Sequence, residues 1–160
     1  MVSVLLVSVK VPICNASMRT HFLNVDLEIE SHHNLQPIVD DFGDDVRNLY
    51  CGETQGHYLA TFELRGASGT DPDSIIYSFC TLIESLDDEA KKLWESAFTK
   101  VFDIGYEGGS EPSSYSSEIR VGTIERVALL GASIRVTIYP SSPVNPANIA
   151  SEPEGTKILV

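Results

Sequence analysis

The residues of this 160-residue chain that could do chemistry are mainly carboxylates, and most of them fall in one stretch. Residues 24–90 contain fifteen Asp and Glu residues but only two Arg, so this stretch carries a net charge of −13 in a chain whose total is −12. A carboxylate-rich surface attracts basic proteins and repels nucleic acid and anionic membranes. The charge distribution therefore favours a basic protein partner, and neither nucleic acid nor a membrane is expected as a partner.

Seven carboxylates are the candidate partner-binding residues. Three alternate along a predicted strand and four occur in two pairs along a predicted helix: Asp26, Glu28 and Glu30, followed by Asp40, Asp41, Asp44 and Asp45. A calcium loop needs oxygen ligands at regular spacing and a closing bidentate Glu, and the four aspartates lack that pattern. They are expected to form a solvated helix face or a partner-binding patch, and we expect all seven carboxylates to gather on one side of the molecule.

Two other motifs offer weaker chemistry. His32 and His33 are adjacent, and adjacent side chains of an extended chain point apart, so the two cannot readily share a metal. The glycine-rich residues 105–110 resemble a phosphate-binding loop, which usually precedes a helix and carries a basic residue. Here Glu107 and Glu111 flank the glycines and a strand is predicted to follow, so a hairpin loop is expected instead.

The cysteines do not suggest a metal site or a disulfide framework. Cys14, Cys51 and Cys80 are an odd number, are widely spaced and form no CxxC motif. Local support for Cys/His or Ser/His/Asp catalysis is also missing. The sequence therefore predicts a protein that is not an enzyme, with no catalytic residue, cofactor or metal, although a site assembled from distant residues stays open as an alternative.

The amino-terminal apolar run does not resemble a signal peptide. It covers residues 2–9, and no basic residue precedes it, whereas a signal peptide begins with positive charge and ends in a small-residue cleavage site. No stretch reaches the roughly 20 apolar residues that a membrane-spanning helix needs. The cytoplasm is the default expectation.

Apolar residues that alternate with polar ones predict strands, and apolar residues at helical spacing predict helices. Strands are predicted at residues 2–11, 21–30, 57–65, 100–106, 115–121 and 134–139. The first helix is predicted from Pro37 through Leu49, with Ile38, Phe42 and Val46 on its apolar face. Three further helices are predicted. The first of these runs from Pro72 through Ile83 and starts at Asp71, whose carboxylate suits the positive end of the helix dipole. The others cover residues 86–98, after a capping box at Ser85, and residues 123–130, before Gly131.

These elements predict an α+β fold. Because the strands alternate rather than run solidly apolar, we expect a mostly antiparallel or mixed sheet of about six strands, with three to four helices packed on it. Residues 1–140 are predicted to form a single domain. Residues 141–160 contain three prolines and little hydrophobic patterning, so an irregular tail is expected there.

The second half of the chain carries a family resemblance. Its residues are Trp94, residues 102–107, residues 115–118, the apolar positions from Ile124 to Ile138, the Leu-Gly-Ala sequence at 130–132, and Tyr139 with Pro140. This pattern, strongest over residues 94–140, resembles an uncharacterised family of small bacterial α+β proteins. Members tend to end with a strand, a short helix, a Leu-Gly-Ala-like turn and a closing strand with a Tyr. Small acidic proteins of this kind are often immunity proteins encoded beside a bacterial toxin, and the resemblance implies such a role by analogy only.

The sequence therefore supports the hypothesis of a bacterial immunity protein. It would bind and neutralise a cognate basic toxin domain, most simply a nuclease, because nucleases bind polyanions and present cationic clefts. The alternative is a small-ligand-binding or regulatory domain without a toxin partner, which would be expected to show a deep apolar pocket with converging polar groups.

Overall fold

A computed structural model describes residues 19–67, 71–109 and 114–140. The described residues contain five strands: β1 (His21–Ser31), β2 (Val46–Thr54), β3 (His57–Leu64), β4 (Thr99–Gly108) and β5 (Ser133–Pro140). They form one sheet in the order β2-β3-β1-β4-β5. Every neighbouring pair is antiparallel except β4 and β5, which are parallel. This mixed sheet confirms the α+β prediction, with five strands where about six were expected.

Within the described ranges, four helices accompany the sheet: α1 (Gln36–Phe42), α2 (Pro72–Glu84), α3 (Asp88–Ser96) and α4 (Val121–Leu129). They lie on one face of the sheet, because their buried residues share a single core with one set of alternating strand residues. In β1 that set is Val25, Leu27 and Ile29, each at most 1% exposed. The alternating side chains of β1 predicted this division, since successive strand residues point to opposite faces.

The first predicted helix is wrong beyond Phe42. The helix ends there because Gly43 adopts a φ of +50°, and a short 3-10 turn, Gly43–Asp45, leads into β2. Val46 is buried, but it is buried from a strand that pairs with Leu64, so its helical spacing from Phe42 is coincidental. The strand was hidden because β2 is an edge strand with a bulge between Asn48 and Tyr50, and both of those features interrupt simple alternation.

The strand predicted at residues 115–121 is also wrong. Residues 114–120 have no regular secondary structure, and α4 begins at Val121. The topology explains this difference, since the parallel neighbours β4 and β5 need a crossover rather than a hairpin. Asp73 of α2 anchors the crossover by accepting a hydrogen bond from the backbone N–H of Arg120 at 2.8 Å.

The helix ends follow local chemistry. Asp71 caps α2 as predicted, accepting from the N–H of Ser74 at 3.1 Å. The capping box predicted at Ser85 is wrong, because Asp87 caps α3 and accepts from the N–H groups of Glu89 and Ala90. Gly131, with a φ of +65°, follows α4 as predicted, since glycine adopts this left-handed conformation without steric cost.

Some predictions lie outside the described residues. These are the strand at residues 2–11, the tail at residues 141–160 and part of the loop after β4. Within the described ranges, no helix combines the length and apolar character needed to cross a bilayer.

Candidate partner-binding surface

The candidate surface is the face of the sheet opposite the helices, which we call the open face. Alternation along β1 places Asp26, Glu28 and Glu30 there, because their neighbours Val25, Leu27 and Ile29 point into the core. The neighbouring strands β3 and β4 add three more carboxylates to this face. Glu63 and Asp103 lie opposite Asp26, and Glu107 lies opposite His21. No helix of the described residues packs on this face, so the six carboxylates border solvent.

One row of charged residues crosses all five strands. Glu63 lies opposite Asp26, and Asp26 lies opposite Asp103. Arg47 of β2 is opposite Glu63 at one end, and Arg135 of β5 is opposite Asp103 at the other. We call these five residues the charged row; they place three adjacent carboxylates between two arginines.

The two arginines hold the outer carboxylates. Arg47 Nη1 lies 3.1 Å from Glu63 Oε2, and Arg135 Nε donates to Asp103 Oδ2 at 2.8 Å. Arg135 also pairs with Glu28, so its guanidinium bridges two strands. Hydrogen bonds to Asp103 and Glu28 raise the pKa of Arg135 above its ordinary value.

Asp26, at the centre of the row, has no cation beside it among the described residues. Its carboxylate accepts one side-chain hydrogen bond, from Asn24 Nδ2 at 2.9 Å. Burial of the carboxylate and repulsion from Glu63 raise the pKa of Asp26 from 3.8 to about 6, with smaller contributions from Asp103 and Glu28. The surroundings of Asp26 therefore disfavour its charged form.

A glycine makes room for the single hydrogen bond to Asp26. A Cβ atom at Gly105 would lie 2.8 Å from Asn24 Oδ1, which is closer than real Cβ atoms approach. The missing side chain at Gly105 thus lets Asn24 lie across β4 and reach Asp26. Any larger residue at this position would push Asn24 aside.

The remaining charges of the open face are partly paired. His57 Nε2 lies 3.1 Å from Glu30 Oε2, and His21 Nε2 lies 3.6 Å from Glu107 Oε2. Besides His21 and His57, the face carries six carboxylates and two arginines among the described residues. It keeps a net negative charge after its internal ion pairs are counted.

Two tyrosines flank the charged centre. Tyr50, on the β2 side, is 43% exposed and lies over Gly52, where a Cβ atom would approach its Oη to 3.0 Å. Tyr139, on the β5 side, is 50% exposed and lies over Gly105. Tyrosine is enriched among the residues that dominate binding energy at protein interfaces.

The other four predicted binding residues lie on the opposite side of the sheet. Asp40, Asp41, Asp44 and Asp45 belong to α1 and the following turn, which pack on the core side through Ile38 and Phe42. Asp41 Oδ2 accepts the N–H of Asp87 at 3.0 Å, and Asp40 accepts from Gln36. The seven carboxylates therefore form two groups, and the expectation of a single patch is wrong.

The weaker sequence motifs acquire structural surroundings. The ring of His32 lies 4.8 Å from that of Phe98, and the N–H of His33 donates to Ser31 Oγ. Burial raises the pKa of both described cysteines, that of Cys80 to about 11, so neither thiol is activated. Within the described ranges, no group of three or more His, Cys, Asp or Glu residues is arranged to hold a metal ion.

A largely apolar groove that could hold a small ligand lies between α2 and α4. It has a volume of about 540 Å³ and is lined by residues that include Tyr77, Arg120, Val121 and Thr123. Its one buried carboxylate, Asp73, already binds the backbone N–H and the guanidinium of Arg120, at 2.8 and 3.2 Å. That carboxylate stabilises the start of α4 and is not available to orient a ligand.

Comparison with protein-family models, curated proteins and solved structures found no match to the chain. The resemblance over residues 94–140 therefore stays a prediction.

The sequence prediction missed half of the open-face carboxylates. Glu63, Asp103 and Glu107 are far from β1 in sequence, and only the strand order brings them beside it. The alternation of β3 did place Glu63 on the solvent side, and that of β5 placed Arg135 apart from the apolar positions. The sequence pattern does not contain the register of the strands, which aligns these residues in the charged row.

Proposed function

We propose that this protein binds a basic partner protein through the open face of its sheet and neutralises it in the manner of a bacterial immunity protein. The proposed partner is a cationic toxin domain, most simply a nuclease, met in the cytoplasm. The observation that carries the proposal is the charged row, in which Asp26 lies between Glu63 and Asp103 on a surface that no described element covers.

The arrangement of Asp26 is unfavourable for the isolated protein. Like charges directly opposite one another in a sheet are destabilising, and burial disfavours a charged carboxylate further. An arginine or lysine supplied by a partner would reverse both effects, because an opposite charge nearby favours the ionised form. Charges placed against stability are characteristic of functional surfaces.

The dimensions of the open face suit a protein rather than a small molecule. Five strands spaced about 4.8 Å apart, each of eight or more residues, give a surface about 19 Å by 26 Å or more. The resulting flat area, about 500 Å², is a little over half of the ~800 Å² that each partner contributes to a standard interface. Tyr50 and Tyr139 add amphipathic side chains on either side of the charged centre.

The partner should be identified by affinity capture with the full chain from the native strain, followed by mass spectrometry. The captured protein is then tested against two variants, each of which removes two carboxylate charges. Asp26→Asn with Glu63→Gln changes the open face, and Asp40→Asn with Asp44→Asn changes α1 and its turn. Association is measured at low and high salt.

The open-face variant is expected to associate about tenfold more slowly at low salt, with a weaker salt dependence, because steering depends on local charge. The α1 variant should associate at nearly the wild-type rate. Wild-type affinity should also fall as the pH drops below about 6, since Asp26 is then protonated. Equal effects from both variants, or an effect of the α1 variant alone, would refute the open face as the binding surface.

A further inference from the structure

The two edges of the sheet differ in how they are protected. The β2 edge has a bulge between Asn48 and Tyr50 and carries the charged residues Arg47 and Glu53. Bulges and charges are the usual devices that prevent an edge strand from pairing with another chain. The β5 edge has no bulge, since its register with β4 is uninterrupted; its one charged residue, Arg135, binds Asp103 and Glu28 within the sheet, and Pro140 ends the strand.

The core-side residues of β5 are apolar and poorly covered. Ile134, Val136 and Ile138 are 36%, 57% and 68% exposed, although they point to the side of the sheet on which the helices pack. The equivalent residues of the neighbouring strand β4, Phe102 and Ile104, are at most 3% exposed. The helix layer thus ends before it reaches the β5 edge.

Helix α4 presents a second apolar surface beside this strand. Arg126 faces α2, where it binds Glu84, and Val127 is buried in the core. With 3.6 residues per turn, Ile124 and Ala128 must then lie on the side of α4 away from α2, whereas Val121 lines the groove between the two helices. Ile124 is 48% exposed. We call Ile124, Ala128 and the strand residues Ile134, Val136 and Ile138 the β5–α4 face.

We propose that the β5–α4 face is the interface of a homodimer in which β5 pairs antiparallel with β5 of a second copy. A two-fold axis at Val136 places Val136 opposite the second copy's Val136. Ile134 then lies opposite the second copy's Ile138, and Arg135 lies opposite the second copy's Thr137. Every core-side pair is apolar and no arginine faces another arginine, so the strand is self-complementary in this register.

The same axis brings the helices together. Antiparallel pairing about an axis perpendicular to the sheet keeps both helix layers on one side, so the apolar sides of the two α4 helices approach each other. The eight-residue strand offers an edge about 26 Å long. With a helix layer about 10 Å thick above it, each copy contributes a footprint of about 260 Å², roughly a third of the ~800 Å² of a standard interface, so the dimer is expected to be weak and to form only at high concentration.

The charges of the molecule favour this region over others for self-association. The chain carries −12, and repulsion between copies is smallest where carboxylates are absent. The named residues of the β5–α4 face are all apolar, and Glu125, beside Ile124, is the one carboxylate of α4. Because salt screens the remaining repulsion, the dimer should strengthen as ionic strength rises, whereas the proposed binding of a basic partner weakens.

The test is sedimentation velocity of the full chain from about 1 to about 100 µM, at low and high salt. The wild type is expected to be a dimer at the upper concentrations. Val136→Lys places a charge at the two-fold axis and should give monomers. The matched control Leu49→Lys, on the other edge strand at a site that is 48% exposed, should leave the dimer intact.

Two further measurements keep the result interpretable. Ile138→Lys should also give monomers, and both lysine variants should keep the circular dichroism spectrum of the wild type, since their sites are more than half exposed. Val136→Cys should form a disulfide between copies under mild oxidation, whereas Leu49→Cys should not. The proposal would be overturned if the wild type were a monomer at 100 µM, whether its β5 edge is free or covered by the chain's own termini. A dimer that survives Val136→Lys would overturn it as well.

Discussion

The two faces of β1 are built from alternate residues of one strand, yet they do opposite things to the stability of the fold. Val25, Leu27 and Ile29 are buried beneath the helices, and burial of apolar surface is the main favourable contribution to folding. Asp26 and Glu28, one residue away, lie on the open face among other carboxylates. The backbone pairing is common to both faces, so the difference comes from what covers each side.

The covered side contains residues that stabilise the fold, whereas the open face contains residues that contribute little to its stability. On the covered side, side chains fill one continuous core that includes Phe42 and Trp94. On the open face, the ion pairs of Arg47 and Arg135 only partly offset repulsion between carboxylates, and exposed pairs contribute at most about 1 kcal/mol each. Mutations on the two sides should therefore change the free energy of unfolding by different amounts, and at Asp26 the change should have the opposite sign.

The largest effect is expected from Phe62→Ala on the covered side. Phe62 is fully buried, and its ring packs edge-to-face on Phe42 at 5.1 Å. Its truncation should lower the free energy of unfolding by about 3–5 kcal/mol, measured by urea denaturation. The matched control is Leu59→Ala on the open-face side of the same strand, which should lower it by about 1 kcal/mol or less. Similar losses at both positions would show that the open face is covered in solution.

The next effect concerns the buried carboxylate of the covered side. Asp73 is 3% exposed and holds Arg120 through both its backbone N–H and its guanidinium. Asp73→Ala removes the charged acceptor of the Arg120 N–H at the start of α4, so we expect a loss of about 1.5–3 kcal/mol in the free energy of unfolding. Arg120→Ala keeps the backbone bond and removes only a largely exposed guanidinium, so its loss should stay below about 1 kcal/mol. If Arg120→Ala proved the more damaging, the ion pair and not the helix anchor would be the stabilising contact.

These contrasts explain which parts of the fold the sequence could predict. Alternation in β1 and β3 identified strands and their two faces, because each has one face packed on the core. Strand β5 alternates as well, although its core-side residues stay exposed. Asp71 and Gly131 marked helix ends, since their roles depend on local backbone chemistry. In such places the information lies within a few residues of the element itself.

The failures occurred where distant parts of the chain decide the structure. Leu49 looked helical because β2 is an exposed edge strand with a bulge, and its partner β3 supplies the hydrogen bonds that make it a strand. Residues 115–121 alternate, but the parallel placement of β5 requires a crossover there. The charged row depends on the register of five strands, so carboxylates chosen by charge density alone included α1 and omitted Glu63 and Asp103.

The smallest effect, and the one that most sharpens the comparison, is expected at Asp26. Its pKa is raised from 3.8 to about 6, so between these pH values the folded protein binds a proton that the unfolded chain releases. Stability from this group is therefore present at pH 4 and is lost as the pH rises to 6 and above. Asp26→Asn keeps an oxygen for Asn24 and removes the charge. It should match the wild type at pH 4 and be more stable at pH 7 by about 1 kcal/mol, because solvent screens a half-exposed group.

The measurement is the difference in the free energy of unfolding between Asp26→Asn and the wild type across pH 4 to 8. Asp40→Asn, on the other side of the sheet, removes an exposed carboxylate and should differ from the wild type by less than about 0.5 kcal/mol throughout. A loss of stability in Asp26→Asn at pH 7 would mean that the Asp26 charge stabilises the fold, and the argument for a binding role would fail. A gain would place this residue among those that weaken the free protein, which is the usual cost of a preformed binding surface. The same substitution should then slow association with a basic partner, so that stability and binding change in opposite directions.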